Sequence, residues 1–150
     1  MHRFALLFCV AALAGCTPSE QRTDEMAETP MPAMLTLADL AGTWNGRAMP
    51  QVGDSTLVTF TMVATADTAG WTMTFPNGNP IPVRVVALAG DSVITEAGPY
   101  ESALRNQVMV TTRFTGRLQD GKMVGTFVAR YQTTSADSVL RGRYEGTRGM

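Results

Sequence analysis

The stretch that decides the fold runs from Gln107 to Tyr131 and reads QVMVTTRFTGRLQDGKMVGTFVARY. Val108, Val110, Thr112 and Phe114 recur at every second position, with Arg113, Thr115 and Arg117 between and beyond them. After Gln119-Asp120-Gly121 the alternation resumes, with Phe127, Ala129 and Tyr131 set against Thr126 and Arg130. A period of two puts one set on each face of a pleated strand, and glycine in the short break supplies the positive φ that a hairpin turn needs. This is a β-hairpin with one apolar face and one polar face.

Working outward, the same signal repeats from Gly42 to the end, rich in Thr, Val, Phe, Tyr and Trp and free of a helical period. Eight strands are expected: Gly42 to Met49, Ser55 to Thr65, Gly70 to Phe75, Ile81 to Leu88, Ser92 to Ala97, Gln107 to Leu118, Lys122 to Tyr131, and Ser138 to Arg148. Ala89-Gly90-Asp91 is a second tight turn, residues 76–80 (PNGNP) a broader one, and Gly98 to Asn106 the longest loop. Short connections dictate antiparallel pairing of neighbours, so the chain is all-β, and an eight-stranded meander closes naturally into an up-and-down barrel. An open sandwich is the alternative. The faces that carry Phe60, Met62 and Ala64, Trp71, Met73 and Phe75, or Ile81, Val83 and Val85 should point inward. The outward set, Thr59, Thr61, Thr72, Thr74 and the arginines, lacks the apolar band of a transmembrane barrel, so a water-soluble one is expected.

Gly42-Thr43-Trp44-Asn45-Gly46 and Gly142-Arg143-Tyr144-Glu145-Gly146 share the spacing Gly-x-aromatic-x-Gly, and Gly125-Thr126-Phe127 repeats its first half. Glycines on the face of the aromatic permit the sharp coiling of a small barrel. The first of these, preceded by Leu40-Ala41, resembles the opening of the lipocalin and calycin superfamily, whose first strand carries Gly-x-Trp after a short helical turn; Thr36 to Ala41 matches that turn. The resemblance implies that Gly42 and Trp44 sit at a closed barrel end with an arginine from the last strand packed across the ring. Arg148, Arg143 and Arg141 are the candidates, and Arg148 is favoured by its end position.

The N-terminus carries a different signal. Arg3 precedes an apolar run from Phe4 to Leu13, too short to span a bilayer and built like a secretory signal. Its end, Leu13-Ala14-Gly15-Cys16, resembles the lipobox of bacterial lipoproteins, which implies cleavage before Cys16 and acylation of that cysteine. An ordinary secretory signal is the alternative. Thr17 in place of Asp favours, by the same resemblance, the outer membrane facing the periplasm. The expected organisation is a signal peptide at 1–15, a lipidated cysteine with a proline-bearing acidic linker at 16–35, and a barrel domain at 36–150.

Composition excludes several chemistries. The one histidine is His2 and the cysteines are Cys9 and Cys16, so the processed chain has no imidazole and no free thiol. Histidine-based triads, Cys–His pairs and His/Cys metal sites are ruled out, no disulfide can form, and no cofactor is expected. Glu96, Glu101 and Glu145 are isolated acids, so an enzyme is not expected. A formal net charge of -1, with the arginines spread along the chain, argues against nucleic acid as partner. Two functions remain. The barrel binds a small apolar or amphipathic molecule, with Phe60, Met62, Trp71, Met73, Phe75, Phe114 and Tyr131 lining the cavity. Alternatively the barrel is filled and the protein is an envelope interaction or inhibitor module, docking on a protein or on peptidoglycan through the loop with Pro99, Tyr100, Glu101 and Arg105 or through an outer face of Arg113, Arg117, Arg130, Arg141 and Arg143 that suits anionic groups.

Overall fold

The computed structural model of the protein describes residues 34–150. The signal segment, Cys16 and most of the expected linker lie outside the described residues. A single-turn helix, α1 (Leu37–Leu40), precedes eight strands: β1 (Gly42–Pro50), β2 (Val58–Ala64), β3 (Trp71–Thr74), β4 (Ile81–Ala89), β5 (Ser92–Glu101), β6 (Met109–Gln119), β7 (Lys122–Tyr131) and β8 (Val139–Arg148). Each strand pairs antiparallel with the next and β8 returns to β1, so the sheet is a closed up-and-down barrel. The first and last glycine-aromatic motifs are neighbours across that closure, with Gly46 opposite Gly146 and Trp44 opposite Arg148.

The turns follow their residues. Asp120 and Gly121 both take positive φ, 52° and 74°, which is the twist a two-residue hairpin needs. Gly90 does the same at 62° between β4 and β5. The largest difference from the expected boundaries is at the end of β5. The loop anticipated from Gly98 to Asn106 begins only after Glu101, because β5 continues past Gly98 and Pro99 through a register shift between Ala97 and Tyr100. The bulge tolerates a proline that cannot donate, and Gly98 takes φ +115°, with the Val110 carbonyl where a side chain would stand.

Inward alternation builds one core. Leu40, Trp44, Trp71, Met73 and Met123 are fully buried. Phe60, Tyr144, Phe114 and Phe127 form a chain of rings across the interior, with successive centroids 6.2, 5.6 and 6.4 Å apart. Tilted and edge-on contacts of this kind let the rings interdigitate and fill the barrel's middle. Glycine makes room for the rings: Gly46 lies under Phe60, and Gly142 under Phe127.

The two ends differ. At the closed end α1 plugs the opening. Thr36 caps it, accepting from the Asp39 amide at 3.3 Å, and the Asp39 carboxylate accepts from the Thr36 amide at 2.9 Å. Trp44 donates from Nε1 to the Leu40 carbonyl at 2.8 Å. Of the three arginines that sequence made candidates, Arg148 stacks on Trp44, its guanidinium carbon 4.4 Å from the ring centroid. Its Nη1 donates to the Ala41 carbonyl at 2.6 Å and its Nη2 to the Asp39 carbonyl at 2.5 Å. Gly42, at φ +137°, leaves the space this guanidinium occupies.

Candidate functional site

The open end is ringed by the connections β1–β2, β3–β4, β5–β6 and β7–β8. Within it lies a cavity of about 40 Å³. That volume holds a few water molecules, whereas a drug-sized ligand needs roughly 300 Å³ or more. Of the seven side chains expected to line a ligand cavity, Phe60, Met73, Phe75, Phe114 and Tyr131 reach this one. Met62 and Trp71 do not; they pack in the deeper core, and Trp71 Nε1 donates to the carbonyls of Asp67 at 2.9 Å and Thr65 at 3.2 Å. The interior is therefore occupied by its own side chains, because the ring chain from Phe60 to Phe127 crosses it below the mouth.

Residues that sequence reasoning placed elsewhere complete the mouth. Tyr100 turns inward from the end of β5 and shares a 2.8 Å hydrogen bond with the Thr112 hydroxyl, its ring 5.8 Å from that of Phe75. Burial raises the Tyr100 phenol above its ordinary range, the Thr112 bond working in the opposite direction. Ser102 Oγ accepts from the amides of Leu104 and Arg105, both at 3.1 Å, which bends the loop over the opening so that Leu104 joins the lining. Arg105 stacks on Tyr131 at 4.1 Å and donates to the Asp137 carbonyl at 2.7 Å, tying this loop to the β7–β8 loop. Tyr100, expected as a recognition residue in a free loop, is thus engaged in the barrel mouth, and Arg105 is engaged between two of the loops around it. The signal for Tyr100 was obscured by the bulge, which shifts the alternation by one step after Ala97.

Chemically the mouth offers apolar walls, the Tyr100–Thr112 hydroxyl pair and the Ser102 hydroxyl. Among the described residues no three His, Cys, Asp or Glu side chains gather in a metal-holding group. Burial drives the Tyr144 phenol far above its ordinary range, which keeps it neutral in the core. At the other end, hydrogen bonds from the Thr36 side chain and amide, aided by Arg148, lower the Asp39 carboxyl.

The exterior is polar and partly ion-paired. Arg47 meets Glu145 at 2.8 Å, Arg84 meets Glu96 at 2.7 Å, and Arg143 meets Asp54 at 3.1 Å. No described helix is long and apolar enough to cross a membrane. No protein-family model matches the chain, and no curated protein or solved structure shows detectable similarity to it.

Proposed function

We propose that this protein is a non-enzymatic envelope lipoprotein, anchored through acylated Cys16 to the outer membrane and facing the periplasm, whose barrel binds partners through its exterior. The observation that carries the choice between interior and exterior is the filled core: a 40 Å³ cavity leaves no room for a buried ligand of ordinary size. The lipid anchor rests on the Leu13-Ala14-Gly15-Cys16 motif, and the absence of catalysis rests on a processed chain without histidine or free thiol. Metabolic labelling with a palmitate analogue tests the anchor: wild-type chain should take up label and fractionate with membranes, and Cys16→Ser should do neither. Equal labelling of both would overturn it.

A second reading has one specific observation in its favour, the hydroxyl pair of Tyr100 and Thr112 set in a largely apolar mouth. Such a mouth suits a small amphipathic molecule if the Ser102 to Leu104 segment swings out. Native mass spectrometry of protein purified from the envelope separates the two. A bound mass lost in Tyr100→Phe/Thr112→Val would replace the exterior reading with the ligand reading.

A further inference from the structure

The nine arginines of residues 34–150 are scattered in sequence, yet the fold divides them into two groups. Arg47, Arg84 and Arg143 form ion pairs, while Arg105 and Arg148 stack on aromatic rings. The other four, Arg113, Arg117, Arg130 and Arg141, have no carboxylate within ion-pairing distance among the described residues. All four are exposed on the outer face of three consecutive strands, β6, β7 and β8.

Register packs three of them closely. Arg113 and Arg141 both stand opposite Val128, one on each side, so their backbones are about 10 Å apart across β7. Arg130 is two residues further along β7 on the same face, about 7 Å from Val128. Half-buried Val128 stands between Arg113 and Arg141, and Thr115 and Thr126, opposite each other in register, flank it on the side away from Arg130. The nearest acid, Glu96, lies beside Arg113 in register but is held by Arg84. Guanidiniums kept so close without counter-charge are stabilised when oxyanions approach, and their forked donors match phosphate geometry.

We infer that the Arg113–Arg130–Arg141 face is a docking surface for the anionic headgroups of a phospholipid bilayer. The identity of that partner rests on the anchoring reading above, since a barrel tethered by Cys16 meets a leaflet before any other polyanion. The composition of the face agrees. It has no exposed aromatic to serve as the anchor of a protein interface, and its charge sits on a broad sheet surface instead of in a pocket. Arginines near an anionic surface strengthen binding by roughly fivefold each, so three together give on the order of a hundredfold.

The test uses the mature chain, residues 16–150, carrying Cys16→Ser, so that neither the apolar signal run nor the anchor contributes, in flotation with vesicles of phosphatidylglycerol and phosphatidylcholine or of phosphatidylcholine alone. The chain should float with the anionic vesicles, stay behind with the neutral ones, and be released by high salt. Arg113→Gln/Arg130→Gln/Arg141→Gln should weaken partitioning on the order of a hundredfold. A control on paired arginines that leaves Arg84 on Glu96, Arg47→Gln/Arg143→Gln, should lose less than a tenth of that, with circular dichroism showing both variants folded. No flotation on anionic vesicles, an equal loss in the control, or full competition by millimolar glycerol phosphate would overturn the proposal. Because the probe lacks the acylated cysteine, none of these outcomes bears on the anchor, which the labelling experiment decides separately.

Discussion

Replacing Arg148 with alanine should loosen the closed end of the barrel by an amount the structure allows one to work out. The guanidinium gives two hydrogen bonds to α1 and its cap, at 2.6 Å to the Ala41 carbonyl and 2.5 Å to the Asp39 carbonyl, and stacks on Trp44 at 4.4 Å. A hydrogen bond from a charged donor is worth about 1.5–3 kcal/mol where water is excluded, and nearer 1 kcal/mol at an exposed residue such as this one. The stacking adds about 0.5–1 kcal/mol. The sum is about 2.5–3 kcal/mol, and for a domain of this size each kcal/mol moves the midpoint by about 4 °C, so Tm should fall by about 10–12 °C. Thermal unfolding followed by circular dichroism measures the shift, and Trp fluorescence should redden as water reaches Trp44. Arg148→Lys, which keeps the charge but not the planar fork, should fall between wild type and alanine. Arg141→Ala, on the same strand but without a partner, should stay within about 0.5 kcal/mol of wild type. If Arg148→Ala melts within about 2 °C of wild type, the guanidinium is an ornament of the surface and the account of the closed end fails.

Two further outcomes follow from the core. Gly125 faces Gly116 across β6 and β7, and a methyl there would overlap the Thr115 carbonyl oxygen and stand 2.8 Å from the Gly116 Cα. Because those neighbours are backbone, the strands must part, and Gly125→Ala should cost about 1–3 kcal/mol in denaturant unfolding; Gly53→Ala, with nothing within 4 Å, should cost only the strain of its φ of +92°, about 1 kcal/mol. Tyr144 predicts an alkaline transition. Its folded phenol is raised above the unfolded value of 10.0, so the neutral form is favoured in the core; the contribution is fully present below pH 10.0 and is lost as pH rises beyond it. Tyr144→Phe should therefore flatten the decline of stability above that pH in chemical denaturation, and an unchanged slope would remove Tyr144 as its cause.

Much of the barrel was legible in the chain because each strand carries its own record. Lys122–Tyr131 is the same in both readings, since Asp120-Gly121 marks its start and Phe127, Ala129 and Tyr131 mark its inner face. The alternation failed as a guide where the backbone leaves the regular pleat. After Ala97 the bulge around Gly98 and Pro99 reverses the faces, and Tyr100, which looks like a loop residue, becomes part of the mouth. Phe60, Met73, Phe75, Phe114 and Tyr131 were legible as inward, but not whether they surround a space or fill it. That depends on ring-to-ring distances across strands far apart in sequence, which no local pattern encodes.

Residue order alone therefore settles the all-β class and the antiparallel order of the strands, and leaves residues 34–150 without histidine or cysteine, because these follow from period, turn chemistry and composition. The lipobox-like Leu13-Ala14-Gly15-Cys16 is likewise a matter of local sequence. Register decides the rest. Arg113, Arg130 and Arg141 are spread through nearly thirty positions and alternation puts them on the outer face, but only the register of β6, β7 and β8 gathers them around Val128. Closure of the barrel likewise sets Arg148 on Trp44, more than a hundred residues away, because it makes the first and last strands neighbours.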